Sequence, residues 1–172
     1  RLSTAQLVTR DGRRIDLRNV RSPVVVFCSR GDDITPPPQA LGWIRDLYEN
    51  EDDIIANEQT IVYCQHDTTG HLGIFVSGSV SRKEHTEFTA NMDYIDVLPP
   101  GLYETTISPA EKGEDAELYE RDYLLEFMPR DFAELDREVK HKPEDDRRFA
   151  TVARISEINL GMYRLFLQPW IK

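Results

Sequence analysis

Val24-Val25-Val26-Phe27-Cys28-Ser29-Arg30-Gly31-Asp32-Asp33-Ile34-Thr35-Pro36-Pro37 is an apolar run that breaks abruptly into a polar turn. β-Branched and aromatic residues in succession, with no alternation, describe a strand buried on both faces, as in a parallel sheet. The triplet Pro36-Pro37-Pro38 stops extended structure and prepares a helix start. From Ala40 to Tyr48, apolar residues at 40, 41, 43, 44, 47 and 48 fit one helical face. A short acidic helical turn over residues 51–56 then leads into a second apolar run, Thr60-Ile61-Val62-Tyr63-Cys64, which opens into Gln65-His66-Asp67-Thr68-Thr69-Gly70-His71. Strand, helix and strand with so long a crossover predict parallel strands joined by a right-handed connection. The loops leaving the two strands then face one crevice at the carboxyl edge of the sheet, where such sheets carry their sites.

That placement makes Asp32 and His71 the candidate catalytic residues. A carboxylate held at the end of one strand can orient an imidazole delivered by the next and stabilise its charged form during acyl transfer. Asp33 competes with Asp32, and a turn aspartate that caps the following helix is the structural alternative. His66 is the reserve base, nearer the strand end, whereas His85 and His141 read as surface residues. The acid-before-histidine order is the one α/β-hydrolases use, but their nucleophile elbow, Gly-x-Ser-x-Gly or its Cys equivalent, is absent from the chain. Cys28 lies within its strand and is expected to pack as a small hydrophobe. Cys28, Cys64, His66 and His71 are of types that suit zinc, yet no close Cys-x-x-Cys or His-x-x-x-His pair anchors a site. No phosphate loop or dinucleotide fingerprint appears, and no cofactor is expected.

The chain has 172 residues, enough for one core and a small annex. Its formal charge of −10, from 21 Lys and Arg against 31 Asp and Glu, argues against a non-specific duplex-binding surface, so no nucleic acid partner is expected. Arginines 10, 13, 14, 18 and 21 cluster but read as the solvated face of a hairpin. Apolar content of 40% and a mean hydropathy of −0.52 describe a polar globular chain. No apolar stretch approaches the ~20 residues of a membrane span. Two cysteines are too few for a disulfide framework and suggest reduced thiols in a cytoplasmic protein. The first residues form neither an initiating Met nor a secretory leader. They read as the start of a piece of a longer chain.

The flanks complete a two-part expectation. Residues 5–18 read as a hairpin about Asp11-Gly12 or as an extended arm. Residues 82–97 form a helix ended by Pro99-Pro100-Gly101. Strands near 102–107 and 119–128 follow, separated by the acidic 111–117, then a short helix over 130–139. A long helix over 144–166 has Phe149, Val152, Ile155, Met162 and Phe166 spaced for burial. The fold class is therefore α/β, with residues 1–98 as the carboxyl-terminal part of a parallel-sheet domain and 99–172 as an α+β extension.

Three stretches carry a resemblance. Ile15-Asp16-Leu17-Arg18-Asn19-Val20-Arg21-Ser22-Pro23-Val24-Val25-Val26-Phe27, then Gly31-Asp32-Asp33-Ile34-Thr35-Pro36-Pro37, then Gly70-His71-Leu72-Gly73 resemble the carboxyl-terminal part of polyhydroxyalkanoate synthases. Those are α/β-hydrolase-fold acyltransferases acting on hydroxyacyl-CoA thioesters through a catalytic cysteine. Over nearly its whole length the chain looks like an uncharacterised bacterial family related to them, through Gly70–Val80, Leu98–Glu104, Ser156–Arg164 and Gln168-Pro169-Trp170. The resemblance implies Asp32 as acid, His71 as base, an acyl or acyl-CoA substrate, and a nucleophile in a preceding half that is the principal partner. After His71 the chain continues Ile74-Phe75-Val76-Ser77-Gly78, where the synthases have Asn-Pro-Pro. A non-catalytic interaction module of the same descent is the alternative. A piece cut from such a fold is expected to expose a sheet edge and to self-associate as a homo-oligomer.

Overall fold

A computed structural model describes residues 2–71, 73, 89–109, 123–139 and 143–171. They fall into two compact units, residues 1–139 and 140–172.

The first unit opens with a hairpin, β1 (Leu7–Val8) antiparallel to β2 (Arg14–Ile15). Gly12 takes the left-handed backbone, φ +85°, that its turn requires. A 3-10 turn at Leu17–Asn19 leads into β3 (Val24–Ser29). Helix α1 (Pro37–Leu47) starts earlier than the apolar periodicity alone indicates, because prolines suit the first helical positions, where no N–H is needed. Next come α2 (Glu51–Ala56), capped by the Asn50 side chain, and β4 (Thr60–His66). Helix α3 (Met92–Asp96) lies within the expected 82–97 helix, whose residues 82–88 fall outside the described residues. Strands β5 (Gly101–Pro109) and β6 (Tyr123–Pro129) precede α4 (Phe132–Glu138), which a reciprocal capping box of Asp131 and Glu134 starts.

The sheet order is β3-β4-β5-β6. β3 is parallel to β4, β4 is parallel to β5, and β6 turns back antiparallel to β5. The architecture is mixed α/β. The expected division at 98/99 falls inside this sheet: β5 continues the parallel series beside β4, and compactness extends to Val139.

β4 is the centre of the unit. Its first five residues are all buried, which explains why its sequence shows no polar alternation. Ile61 and Tyr63 enter the main core with Leu41 and Ile44 of α1 and with Phe132 and Leu135 of α4. Val62, on the opposite face, meets Ile95 of α3 and Tyr103 of β5. Helical layers thus hold β4 from both faces and fix the loop that leaves its carboxyl end. Cys28 and Cys64 are buried and form no disulfide.

The second unit is helical: α5 (Pro143–Met162), a π-turn at Tyr163–Leu167 and α6 (Gln168–Ile171). The widened turn comes just before Pro169, which has no N–H to return to the preceding turn. Phe149, Val152, Ile155, Met162 and Phe166, expected to be buried, are all exposed. The spacing is correct, but a single helix offers no second layer to close over its own stripe. Among the described residues no helix is long and apolar enough to cross a membrane.

Candidate functional site

The loops leaving β3 and β4 are packed backbone to backbone. Arg30 N donates to His66 O at 2.8 Å, carrying the ladder one step past the strands. Gly31 lies so close to Thr68 that a Cβ there would sit 2.5 Å from the Thr68 carbonyl carbon. Only glycine lets the two loops approach this closely.

This contact brings Asp32 and His71 together. His71 Nδ1 lies 2.8 Å from Asp32 Oδ2. The carboxylate is shared between two tasks. Oδ1 accepts from the Ile34 and Thr35 N–H groups, both at 2.9 Å, and so shapes the turn ahead of α1. Oδ2 accepts from the Thr35 hydroxyl at 2.6 Å and faces the imidazole. The turn aspartate and the histidine-orienting aspartate are thus one residue using different oxygens. Asp33 is exposed on the same turn, and none of these bonds reaches it.

The Asp32 side chain is fully buried, while 28% of the His71 side chain is exposed. Burial alone would raise the Asp32 carboxyl. Hydrogen bonds from the Thr35 hydroxyl and N–H, from His71 and from the Ile34 N–H outweigh it and hold the acid far below the usual carboxylate range. An ionised carboxylate only accepts, so the hydrogen between the two side chains belongs to His71 Nδ1. The Thr35 hydroxyl fits this assignment, lying 3.1 Å from His71 Nδ1 while donating to Asp32. Such an imidazole would exchange its proton through Nε2, with the negative charge of Asp32 stabilising the protonated ring.

His66, the reserve base, has another task. Its Nδ1 accepts from the backbone N–H groups of Thr68 and Thr69, at 3.2 and 3.1 Å, and lies 2.7 Å from the Thr69 hydroxyl. The ring is built into the turn that carries the chain toward His71. His85 and His141 fall outside the described residues.

Neither thiol nor hydroxyl at the end of β3 is prepared for attack. Burial pushes the Cys28 thiol up to about 12, with the Glu138 charge adding to the effect, so the reactive thiolate is scarce at neutral pH. Ser29 is buried, and its Oγ accepts from Gly31 N at 3.1 Å. Among the described residues no group of three His, Cys, Asp or Glu side chains is arranged to hold a metal ion.

Two positions escaped the sequence reading. Thr35 touches both members of the pair; its spacing from Asp32, three residues within a turn ahead of a helix, was the available signal. Arg30 is the other. It donates to Asp67 at 2.7 Å and to Glu138 at 2.8 Å, and Gln65 also donates to Glu138, at 2.9 Å. Burial opposes ionisation of Glu138, but Arg30 and Gln65 outweigh it and lower its carboxyl below the ordinary range. The end of α4 is thereby tied to both loops, a connection no local pattern reveals.

The whole chain, residues 1–172, matches the family described as protein of unknown function (DUF3141). It is 53% identical over 173 residues to an "uncharacterized protein in ackA 5′ region" of Rhizobium meliloti, a match covering all of this chain and 24% of that relative. The chain therefore spans about a quarter of the relative's length. No solved structure matches it. On a family match that runs from end to end, the chain belongs to the DUF3141 family.

Proposed function

We propose that Asp32 and His71 are the acid and base of an acyl-transfer centre of α/β-hydrolase descent, within a longer protein whose remaining part supplies the nucleophile. One observation carries this reading. A buried, ionised aspartate and a partly exposed imidazole meet at 2.8 Å where two adjacent parallel strands end.

The chemistry follows from the proton positions. His71 Nε2 takes the proton of a Ser or Cys side chain as that side chain attacks an acyl carbonyl. Asp32 stabilises the imidazolium so formed. The imidazolium returns its proton to the departing alkoxide or thiolate as the ester or thioester bond breaks, leaving an acyl-enzyme. Water, or an acceptor hydroxyl activated by the same imidazole, then releases the acyl group. Hydroxyacyl esters and thioesters, including acyl-CoA, are the substrate class in view. Buried thiols outside any disulfide suit a cytoplasmic setting.

A second reading, an interaction module with no chemistry of its own, draws on the exposed apolar side chains of the helical unit, among them Phe149, Val152 and Trp170. One experiment separates the two. In the longer protein, His71→Ala and Asp32→Asn each lower ester or thioester turnover by roughly 10³- to 10⁴-fold if the pair is catalytic. The isolated chain is inert toward the same substrates. Turnover unchanged by His71→Ala removes the pair from the mechanism and leaves the interaction module.

A further inference from the structure

We propose that Thr35 is a positioning residue of the Asp32–His71 pair, its hydroxyl taking up part of the Asp32 charge and so limiting how tightly the carboxylate holds the imidazole hydrogen. The inference rests on the acid–base reading of that pair and adds a third side chain to it.

The acceptor sites of Asp32 carry the argument. An ionised carboxylate offers about four lone-pair directions. Among the described residues four donors meet them: the Ile34 and Thr35 N–H groups on Oδ1, and the Thr35 hydroxyl and His71 Nδ1–H on Oδ2. Thr35 is the one residue of these that bonds both oxygens. Pro36 follows it and confines its backbone to extended conformations, while its branched Cβ restricts χ1. The turn therefore delivers the hydroxyl to Oδ2 in one direction. Against the cost of burial, this hydroxyl is the strongest of the hydrogen bonds that keep the Asp32 carboxyl below its ordinary range.

The distances show how the three side chains divide two hydrogens. At 2.6 Å the contact from the Thr35 hydroxyl to Oδ2 is as short as a charge-assisted bond. The hydroxyl hydrogen is thus committed to the carboxylate, and at 3.1 Å the hydroxyl oxygen turns a lone pair toward His71 Nδ1. The imidazole hydrogen lies nearer Oδ2, with Nδ1 at 2.8 Å from it, on an oxygen that another donor already occupies. Two donors on one oxygen each receive less of its charge. A carboxylate with His71 as its only side-chain donor would hold an imidazolium more firmly, and a catalytic base must also give its proton back.

Proton resonances in the longer protein, with histidine isotope-labelled, test the assignment. Thr35 is exposed, so Thr35→Val exchanges a hydroxyl for a methyl group outside the core. The His71 Nδ1–H resonance should move downfield in Thr35→Val and keep its natural position in Thr35→Ser, which retains the hydroxyl. A resonance that stays in place or moves upfield with valine, or that serine displaces as far as valine does, overturns the inference. A measurement on the unmodified protein guards against variants that fail to fold. The Thr35 hydroxyl hydrogen should be observable at low temperature, with a cross-peak to His71 Nδ1–H; a hydroxyl that exchanges too fast to be seen overturns the inference as well. None of these readouts involves turnover, so a longer protein inert toward esters and thioesters would sink the acyl-transfer reading and leave the role of Thr35 standing.

Discussion

His66 ends β4 and His71 lies five residues further along the chain, yet their rings are held in opposite senses. At His66, Nδ1 is the acceptor for two backbone N–H groups, so its ring hydrogen is on Nε2. At His71, Nδ1 faces an ionised carboxylate and must carry the hydrogen itself. The first imidazole is committed to the backbone and serves the shape of the turn. The second is oriented at Nδ1 by the Asp32 and Thr35 side chains. Neither composition nor spacing distinguishes two histidines in this way; hydrogen-bond partners do.

The strongest way to break the contrast is at Gly31, which both turns share. Gly31→Ala places a methyl group against the Thr68 backbone and forces the loops apart. A loss of about 2–3 kcal/mol is expected in denaturant unfolding, as for other overpacked sites. A smaller effect separates the two rings. His71→Ala takes a hydrogen bond from the fully buried Asp32 carboxylate and should cost about 1–3 kcal/mol, whereas His66→Ala releases the Thr68 and Thr69 N–H groups, which lie at or near the surface, and should cost about 1 kcal/mol or less. Equal losses at the two positions would mean that the Asp32 carboxylate draws no more from its imidazole than the turn does from His66.

The pH dependence sharpens the comparison further. The Asp32 carboxyl titrates below its ordinary value of 3.8 in the folded chain. The stability it contributes is therefore fully present above that value and is lost as pH falls below it. Unfolding midpoints followed from pH 5 downward should fall more steeply for the natural chain than for Asp32→Asn below about pH 4. Parallel acid limbs would mean that the carboxylate is no better held than one in an unfolded chain.

Much of this was legible in the residues, for local reasons. Val24–Cys28 and Thr60–Cys64 declare buried strands because β-branched runs without alternation have few other solutions. Asp32 and His71 follow from where those strands end. What escaped depends on distant partners. The role of His66 rests on which N–H groups its own turn presents, and the place of β5 beside β4 depends on non-local pairing. Periodicity in residues 144–166 signals an apolar stripe, but it does not say what covers that stripe. Glu138 reaches Arg30 only because α4 folds back to the ends of β3 and β4.

The central claim concerns the location of one hydrogen, and long-range proton–nitrogen correlation on the imidazoles reads it directly. At about pH 8, where an ordinary imidazole is neutral, His71 should show a protonated Nδ1 and an unprotonated Nε2, with His66 the reverse. Asp32→Asn should abolish the His71 preference and leave His66 unchanged. A His71 ring protonated at Nε2, or one indifferent to the loss of the Asp32 charge, would contradict the account.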